Sequence, residues 1–149
     1  MPVDRVYMDA CSLQRPFDDR SQPRVNVEAE AVLTILRLVE SGSLELLSSD
    51  ALDFEIGRMR DAGRQKNANE ILKLASRKLD LIDEIETAAA SFVEQKIRPL
   101  DALHLVFASW AKADYLCTCD DKLLKKGKRL TGLAVKVVSP LELIAEVAP

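Results

Sequence analysis

Apolar positions follow two alternating rhythms along the chain. Val6-Tyr7-Met8 is a short strand-like run that stops at Asp9. The stretch from Arg15 through Phe17-Asp18-Asp19 to Pro23 holds prolines and turn formers, so it reads as a loop. From Val27 the period changes. Val32, Ile35, Leu36 and Val39 recur at helical spacing, and Ser41-Gly42 supplies a stop. Leu44 to Leu47 is a second strand. Ser48-Ser49-Asp50 caps a helix that runs through Leu52, Ile56 and Met59 to near Gly63. A further helix is predicted from Ala68 to Ser76. Leu79 to Ile82 reads equally as an extended piece or a loop. Glu84 to Lys96 is helical, Pro99 interrupts, and Leu100 to Ala111 resumes. Tyr115 to Thr118 is a third strand and Val135 to Val138 a fourth. Ser139-Pro140 opens a last short helix, with proline in its first turn.

Strands alternating with helices predict a parallel sheet covered on both faces. The 149 residues suit a single domain, 1–149. Hydrophobic residues at 48% and charged residues at 30% exclude a disordered tail, a collagen-like chain and a coiled-coil rod. A net charge of −3 argues against non-specific duplex binding through a broadly basic surface, but leaves a local basic patch open. Three cysteines at no framework spacing disfavour a disulfide-stapled secreted protein. Asp4, Arg5 and Asp9 leave no apolar leader at the N-terminus, and no apolar run approaches the ~20 residues of a membrane span. The expected location is the cytoplasm, with no membrane contact.

Candidate chemistry rests on four acids: Asp9, Glu55, Asp101 and Asp120. Asp9 and Asp120 follow strands, where open α/β sheets bind ligands. Asp101 lies in the first turn of the helix after Pro99, and Glu55 borders the apolar stripe of Leu52, Ile56 and Met59. Clustered carboxylates cannot all stay ionised without a counter-cation. Such oxygen ligands suit Mg²⁺ or Mn²⁺. Each acid alone also has a plainer reading. Asp9 suits a turn, Asp101 a helix dipole, Asp120-Asp121 a helix cap, and Glu55 a flanking salt bridge. The functional case rests on the set.

His104 is the only histidine, so a multi-histidine metal site is excluded. It falls three residues after Asp101, on the same helix face, and reads as packed or as a support to the acids. Cys117 and Cys119 give too few ligands for zinc and read as small buried thiols; Cys11 is distant in sequence. No Gly-rich phosphate loop, G-x-S-x-G elbow or H-E-x-x-H motif occurs. Lys122, Lys125, Lys126, Lys128 and Arg129 follow Asp120-Asp121 directly. They read as a solvated helix face or as a rim that grips phosphates beside an acidic pocket. Arg58, Arg60, Arg64 and Lys66 read as a solvated face or as the lining of a substrate groove between two copies of the chain. The few aromatics offer no clear stacking platform.

These residues resemble a known family over nearly the whole chain. Val6-Tyr7-Met8-Asp9, continuing through Cys11-Ser12 to Arg15-Pro16-Phe17-Asp18-Asp19, is similar to a PIN-domain subgroup with an R-P-F-D-D loop. Leu47-Ser48-Ser49 followed by Glu55 resembles the family's strand-then-helix acid. Leu100-Asp101-Ala102-Leu103-His104-Leu105 is close to its D-A-x-H-x-A stretch. Ala113-Asp114-Tyr115-Leu116-Cys117-Thr118-Cys119-Asp120 is close to its A-D-x-L-x-T-x-D. Ser139-Pro140-Leu141-Glu142 resembles the C-terminal strand-to-helix junction. The family includes the VapC-type toxin ribonucleases of toxin–antitoxin pairs.

The resemblance implies an α/β three-layer sandwich with a central parallel sheet of about four to five strands. It implies a Mg²⁺- or Mn²⁺-dependent endoribonuclease, with Asp9, Glu55, Asp101 and Asp120 as catalytic metal ligands. Ser12, Thr118, His104 and Asp121 would support those ligands, and Arg15, Lys122 and Lys125 would contact substrate. RNA, an antitoxin and a second copy of the chain are the implied partners. Ala10 departs from the pattern, replacing the hydroxyl residue often found after the first acid, and Phe107-Ala108 departs slightly. Neither removes an acid. Two other readings share the topology. One is a PIN-like interaction or regulatory module without catalysis, whose acids are caps. The other is a phospho-accepting receiver, but that needs paired acids after the first strand, where Asp9 stands alone.

Overall fold

The computed structural model describes residues 3–130 and 132–147. Among them, β1 is Asp4–Met8, β2 Leu44–Ser49, β3 Arg77–Leu79, β4 Tyr115–Cys117 and β5 Lys136–Val138. All pair in parallel in the order β3-β2-β1-β4-β5. The described helices are α1 Ala10–Gln14, α2 Pro23–Glu40, α3 Asp50–Gly57, α4 Ala62–Leu72, α5 Asp83–Glu94, α6 Pro99–Trp110, α7 Asp121–Arg129 and α8 Pro140–Val147. A 3₁₀ turn, Arg15–Phe17, follows α1. Helices flank the sheet in a three-layer α/β arrangement, as the alternation predicts. No described helix is long and apolar enough to cross a membrane.

Burial on both faces explains why the inner strands read as continuous apolar runs. Val6, Tyr7 and Met8 of β1 are fully buried, as are Leu46 and Leu47 of β2 and Leu116 of β4. Tyr7 stands in register with Leu47 on one side and Leu116 on the other. The covering helices pack as pairs, α2 with α8 and α5 with α6.

The connections decide where a ligand site can form. From β1 the chain steps outward to β2 and β3, then returns to the far side of β1 for β4 and β5. The winding reverses between β1 and β4, and ligands bind outside the carboxyl ends of strands at such a switch point. Asp9 ends β1, and Thr118-Cys119-Asp120 ends β4. The order also differs from the 2-1-3-4-5 arrangement of receiver domains.

Several boundaries differ from the sequence expectation, each for a local reason. Helix α2 begins at Pro23, not Val27, because proline is pre-set for a first helical turn. Helix α1 arises where no element was expected; it is too short to show a period, and Asp9 caps it through the Ser12 amide at 3.1 Å. The helix expected to reach Gly63 ends at Gly57. Asp61 then caps α4 through the Gly63 and Arg64 amides at 2.9 and 3.1 Å, so Gly63 is inside a helix rather than a stop. Helix α4 thus starts at Ala62 rather than Ala68 and ends at Leu72 rather than Ser76. The ambiguous stretch Leu79 to Ile82 is loop beyond Leu79; the strand lies just before it, β3 at 77–79, an edge strand whose exposed Arg77 and Lys78 hide any alternation.

Gly127 of α7 is required by close packing. A Cβ there would lie 2.7–2.9 Å from Cγ2, Cγ1 and Cβ of Val137 on β5. Overpacking of this kind costs roughly 1–3 kcal/mol, against about 1 kcal/mol gained when glycine in a helix becomes alanine. Gly127→Ala should therefore lower stability in urea titration, by about 1 kcal/mol net. An increase would show that Val137 moves aside at no cost.

Candidate active site

Asp9 is placed by two elements at once. Its carboxylate caps α1, and its own amide donates to the Cys117 carbonyl at 3.3 Å, extending the β1–β4 ladder. Only 4% of the residue is exposed. Oδ1 accepts from the Ser12 amide, and the Cys11 thiol donates to it at 3.2 Å. Oδ2 accepts from the Thr118 hydroxyl at 2.5 Å. The Ser12 hydroxyl donates to the carbonyls of Asp9 at 2.9 Å and Cys117 at 3.2 Å, locking the junction. Burial raises the Asp9 pKa, and the Thr118 hydroxyl opposes that rise.

Thr118 carries the site across to the next acid. Its oxygen also accepts from the Asp120 amide at 3.0 Å. Asp120 in turn caps α7 through the Lys122 and Leu123 amides at 2.8 and 3.3 Å. Asp101, in the first turn of α6, reaches the same place through Arg98. The Arg98 guanidinium donates to Asp101 Oδ2 at 3.0 Å and, through Nη2, to Asp120 Oδ2. Burial pushes the Asp101 pKa up, Arg98 pulls it down, and the nearby Asp120 charge raises it again.

Glu55 joins through a buried relay. His104, fully buried one turn after Asp101, lies 3.0 Å from Glu55 Oε1 through Nε2. A carboxylate only accepts, so Nε2 carries a proton, and in the neutral ring Nδ1 then accepts from the Tyr7 hydroxyl at 2.6 Å. The Tyr7 oxygen accepts from Ser49 Oγ at 2.6 Å, and Ser49 Oγ accepts from the Leu52 amide at 3.2 Å. Burial holds the Tyr7 hydroxyl protonated, well above its ordinary pKa. The side-chain polar atoms of Tyr7, Ser49 and His104 are therefore all matched.

Hydrogen bonds thus run from Asp9 through Thr118, Asp120 and Arg98 to Asp101, and His104, one turn after Asp101 on α6, holds Glu55. The other expected residues sit as follows. Lys122 borders a small hollow of about 130 Å³ with Arg98, Asp101 and Lys126, and Lys125 is exposed on α7. Arg15 pairs with Asp18 at 3.0 Å and with buried Glu28 at 3.2 Å, bracing the Arg15–Asp19 loop on α2. Asp121 points away to Arg24, which grips it with two bonds of 2.5 and 3.0 Å. Arg64 ties Asp18 and Phe17 to α4. Cys117 and Cys119 are buried free thiols, as expected, and burial pushes the Cys119 pKa up to about 12.

Sequence reasoning missed three contributors. Arg98 carried a usable signal, being three residues before Asp101 and just ahead of a helix-opening proline. Tyr7 looked like any strand residue. Cys11, distant in sequence from the other thiols, is beside Asp9 and 3.6 Å from Thr118 Oγ1.

No family model matches the chain, and no curated protein matches it by sequence. Solved structures do. PAE2754 from Pyrobaculum aerophilum superposes with TM-score 0.56 at 20% identity, over 98% of this chain and 90% of its own. VapBC2 from Rickettsia felis, bound to a DNA fragment from its promoter, superposes with TM-score 0.58 at 13% identity, over 91% of this chain and 98% of that one. The chain has a PIN/VapC-like fold.

In this PIN-like fold the donor chemistry fits a hard divalent ion: carboxylate oxygens carry negative charge in excess over Arg98, and burial pushes up the pKa of the one thiol beside them, Cys11. Among the described residues, no three His, Cys, Asp or Glu side chains are arranged to hold a metal. The cation now between Asp101 and Asp120 is Arg98.

The buried Asp9 gives a pH signature. Its raised pKa means the folded state binds a proton at higher pH than the unfolded chain. Its charge therefore costs stability at neutral pH. That cost fades as pH falls through the raised value toward the unfolded one, about 3.9. In chelator, Asp9→Asn should melt at or above the parent at pH 7. The difference should shrink on acidification. A large drop in melting temperature at pH 7 would show that the carboxylate is needed as a cap more than its burial costs.

Proposed function

We propose that this protein is a Mg²⁺- or Mn²⁺-dependent endoribonuclease of PIN type and the toxin half of a toxin–antitoxin pair. The observation that carries the reading is the hydrogen-bonded chain joining Asp9, Asp120 and Asp101 at the switch point between β1 and β4, with Glu55 held by His104 one turn along α6 from Asp101. Those four side chains would hold the ion. A divalent ion in such a site supplies an activated water and stabilises charge on the phosphate undergoing attack. The rest falls to the chain itself. Ser12 and Thr118 fix the Asp9 carboxylate, and the Tyr7–His104 relay fixes Glu55. Lys122 and Lys125 offer ammonium groups to the RNA backbone. Arg15 and Asp121 serve through the loop and helix that they brace.

An antitoxin partner is part of the same reading, supported by the likeness to VapBC2. So are a homodimer, a cytoplasmic location and the R-P-F-D-D subgroup, on the resemblance of the sequence. A groove of about 780 Å³ is lined by Glu55 and Asp101 together with Phe54, Arg58, Leu81 and Leu103.

The test is cleavage of a mixed pool of structured and single-stranded RNA with Mg²⁺, with Mn²⁺ and with chelator. Cuts that need metal are expected. Cleavage undiminished by chelator would contradict the metal, and no cleavage together with no Mn²⁺ binding would favour an interaction module.

A further inference from the structure

We propose that Arg98 is a built-in counter-cation of the acid cluster, and that a divalent ion enters only by displacing its guanidinium. The inference rests on the metal-centre reading above and adds a residue that sets the affinity of the centre.

The first support is geometry. One planar guanidinium spans two carboxylates from different helices, Asp101 in the first turn of α6 and Asp120 at the cap of α7. Arginine is suited to that bridge by its fixed fork of donors. The second is need. Asp101 is largely shielded, with 13% of its side chain exposed, and Asp120 lies within reach of the same guanidinium. Like charges so placed are held apart unless a cation sits between them. Arg98 supplies that cation in the metal-free protein.

The third support is freedom to leave. The Arg98 side chain is 64% exposed. It stands between the 780 Å³ groove and the 130 Å³ hollow, and it lines both. Swinging out repacks no core residue. The guanidinium end of both pairs lies in solvent, which weakens them, since exposed ion pairs are individually weak. A dication among the same carboxylates carries twice the charge and wins the exchange, at an affinity that Arg98 lowers.

Isothermal titration of Mn²⁺ alone into the full chain tests this. Arg98→Gln should bind Mn²⁺ roughly tenfold tighter than the parent. Arg98→Lys keeps the charge but loses the fork, and should fall between. Lys126→Gln removes a neighbouring charge that borders the same hollow and bridges neither acid, and should stay within about twofold of the parent. Thermal melts of each variant in chelator check that it is folded. Equal or weaker binding by Arg98→Gln overturns the proposal, as does equal tightening by Lys126→Gln. If neither the parent nor Arg98→Gln binds Mn²⁺ at millimolar concentration, the metal-centre reading itself fails.

Discussion

Asp101→Asn is expected to remove RNA cleavage, by at least about a hundredfold, as loss of a group that stabilises transition-state charge usually does. The substitution keeps size and shape and removes only a charge. The backbone of α6 does not depend on the carboxylate, since the Ala102 amide is bonded to the Arg98 carbonyl at 2.8 Å. Arg98 retains Asp120 as a partner. The variant should therefore melt within a few degrees of the parent while its cleavage disappears. Single-turnover assays with Mg²⁺ and with Mn²⁺ check both metals. A variant that cleaves at the parental rate would remove Asp101 from the chemistry.

The largest stability effect is expected at Phe107. Its ring, carried on α6, is fully buried. Phe107→Ala removes that ring from a close-packed interior and should cost roughly 3–5 kcal/mol, or about 10 °C in melting temperature for a domain of this size. Phe54 makes the contrast. It is 57% exposed, with Arg58 over its ring at 5.3 Å. Phe54→Ala should change stability by less than about 0.5 kcal/mol. Similar losses from the two variants, measured by urea unfolding, would mean that the groove beside Phe54 is packed against something in solution.

Much of the fold was legible because burial on both faces writes it into composition. Val6-Tyr7-Met8 and Leu44 to Leu47 read as inner strands for that reason. The edge strand β3 did not, because Arg77 and Lys78 face solvent and carry no alternation. Helix starts set by single residues were also opaque. Pro23 looks like a loop breaker until its place in a first turn is known, and Asp61 caps α4 where Gly63 suggested an end.

The acids were legible as candidates because Asp9, Asp101 and Asp120 fall where a strand ends or a helix begins and Glu55 borders the apolar stripe of α3. What joins them was not. Tyr7 belongs to the core by every sequence criterion, yet its hydroxyl completes the relay to His104. Arg98 precedes a proline and looks like a turn cation, while its guanidinium holds two of the acids together. Spacing along a chain reports which face a residue takes; it does not report which partner the fold brings to it from 22 residues away.

One measurement goes straight to the centre. Crystals soaked in Mn²⁺ and recorded at the manganese absorption edge would locate the ion by its anomalous scattering. A peak among the carboxylates of Asp9, Asp101 and Asp120, with Arg98 turned out of the bridge, is the expected result. Saturating Mn²⁺ with no peak there, and Arg98 still spanning Asp101 and Asp120, would contradict the metal centre.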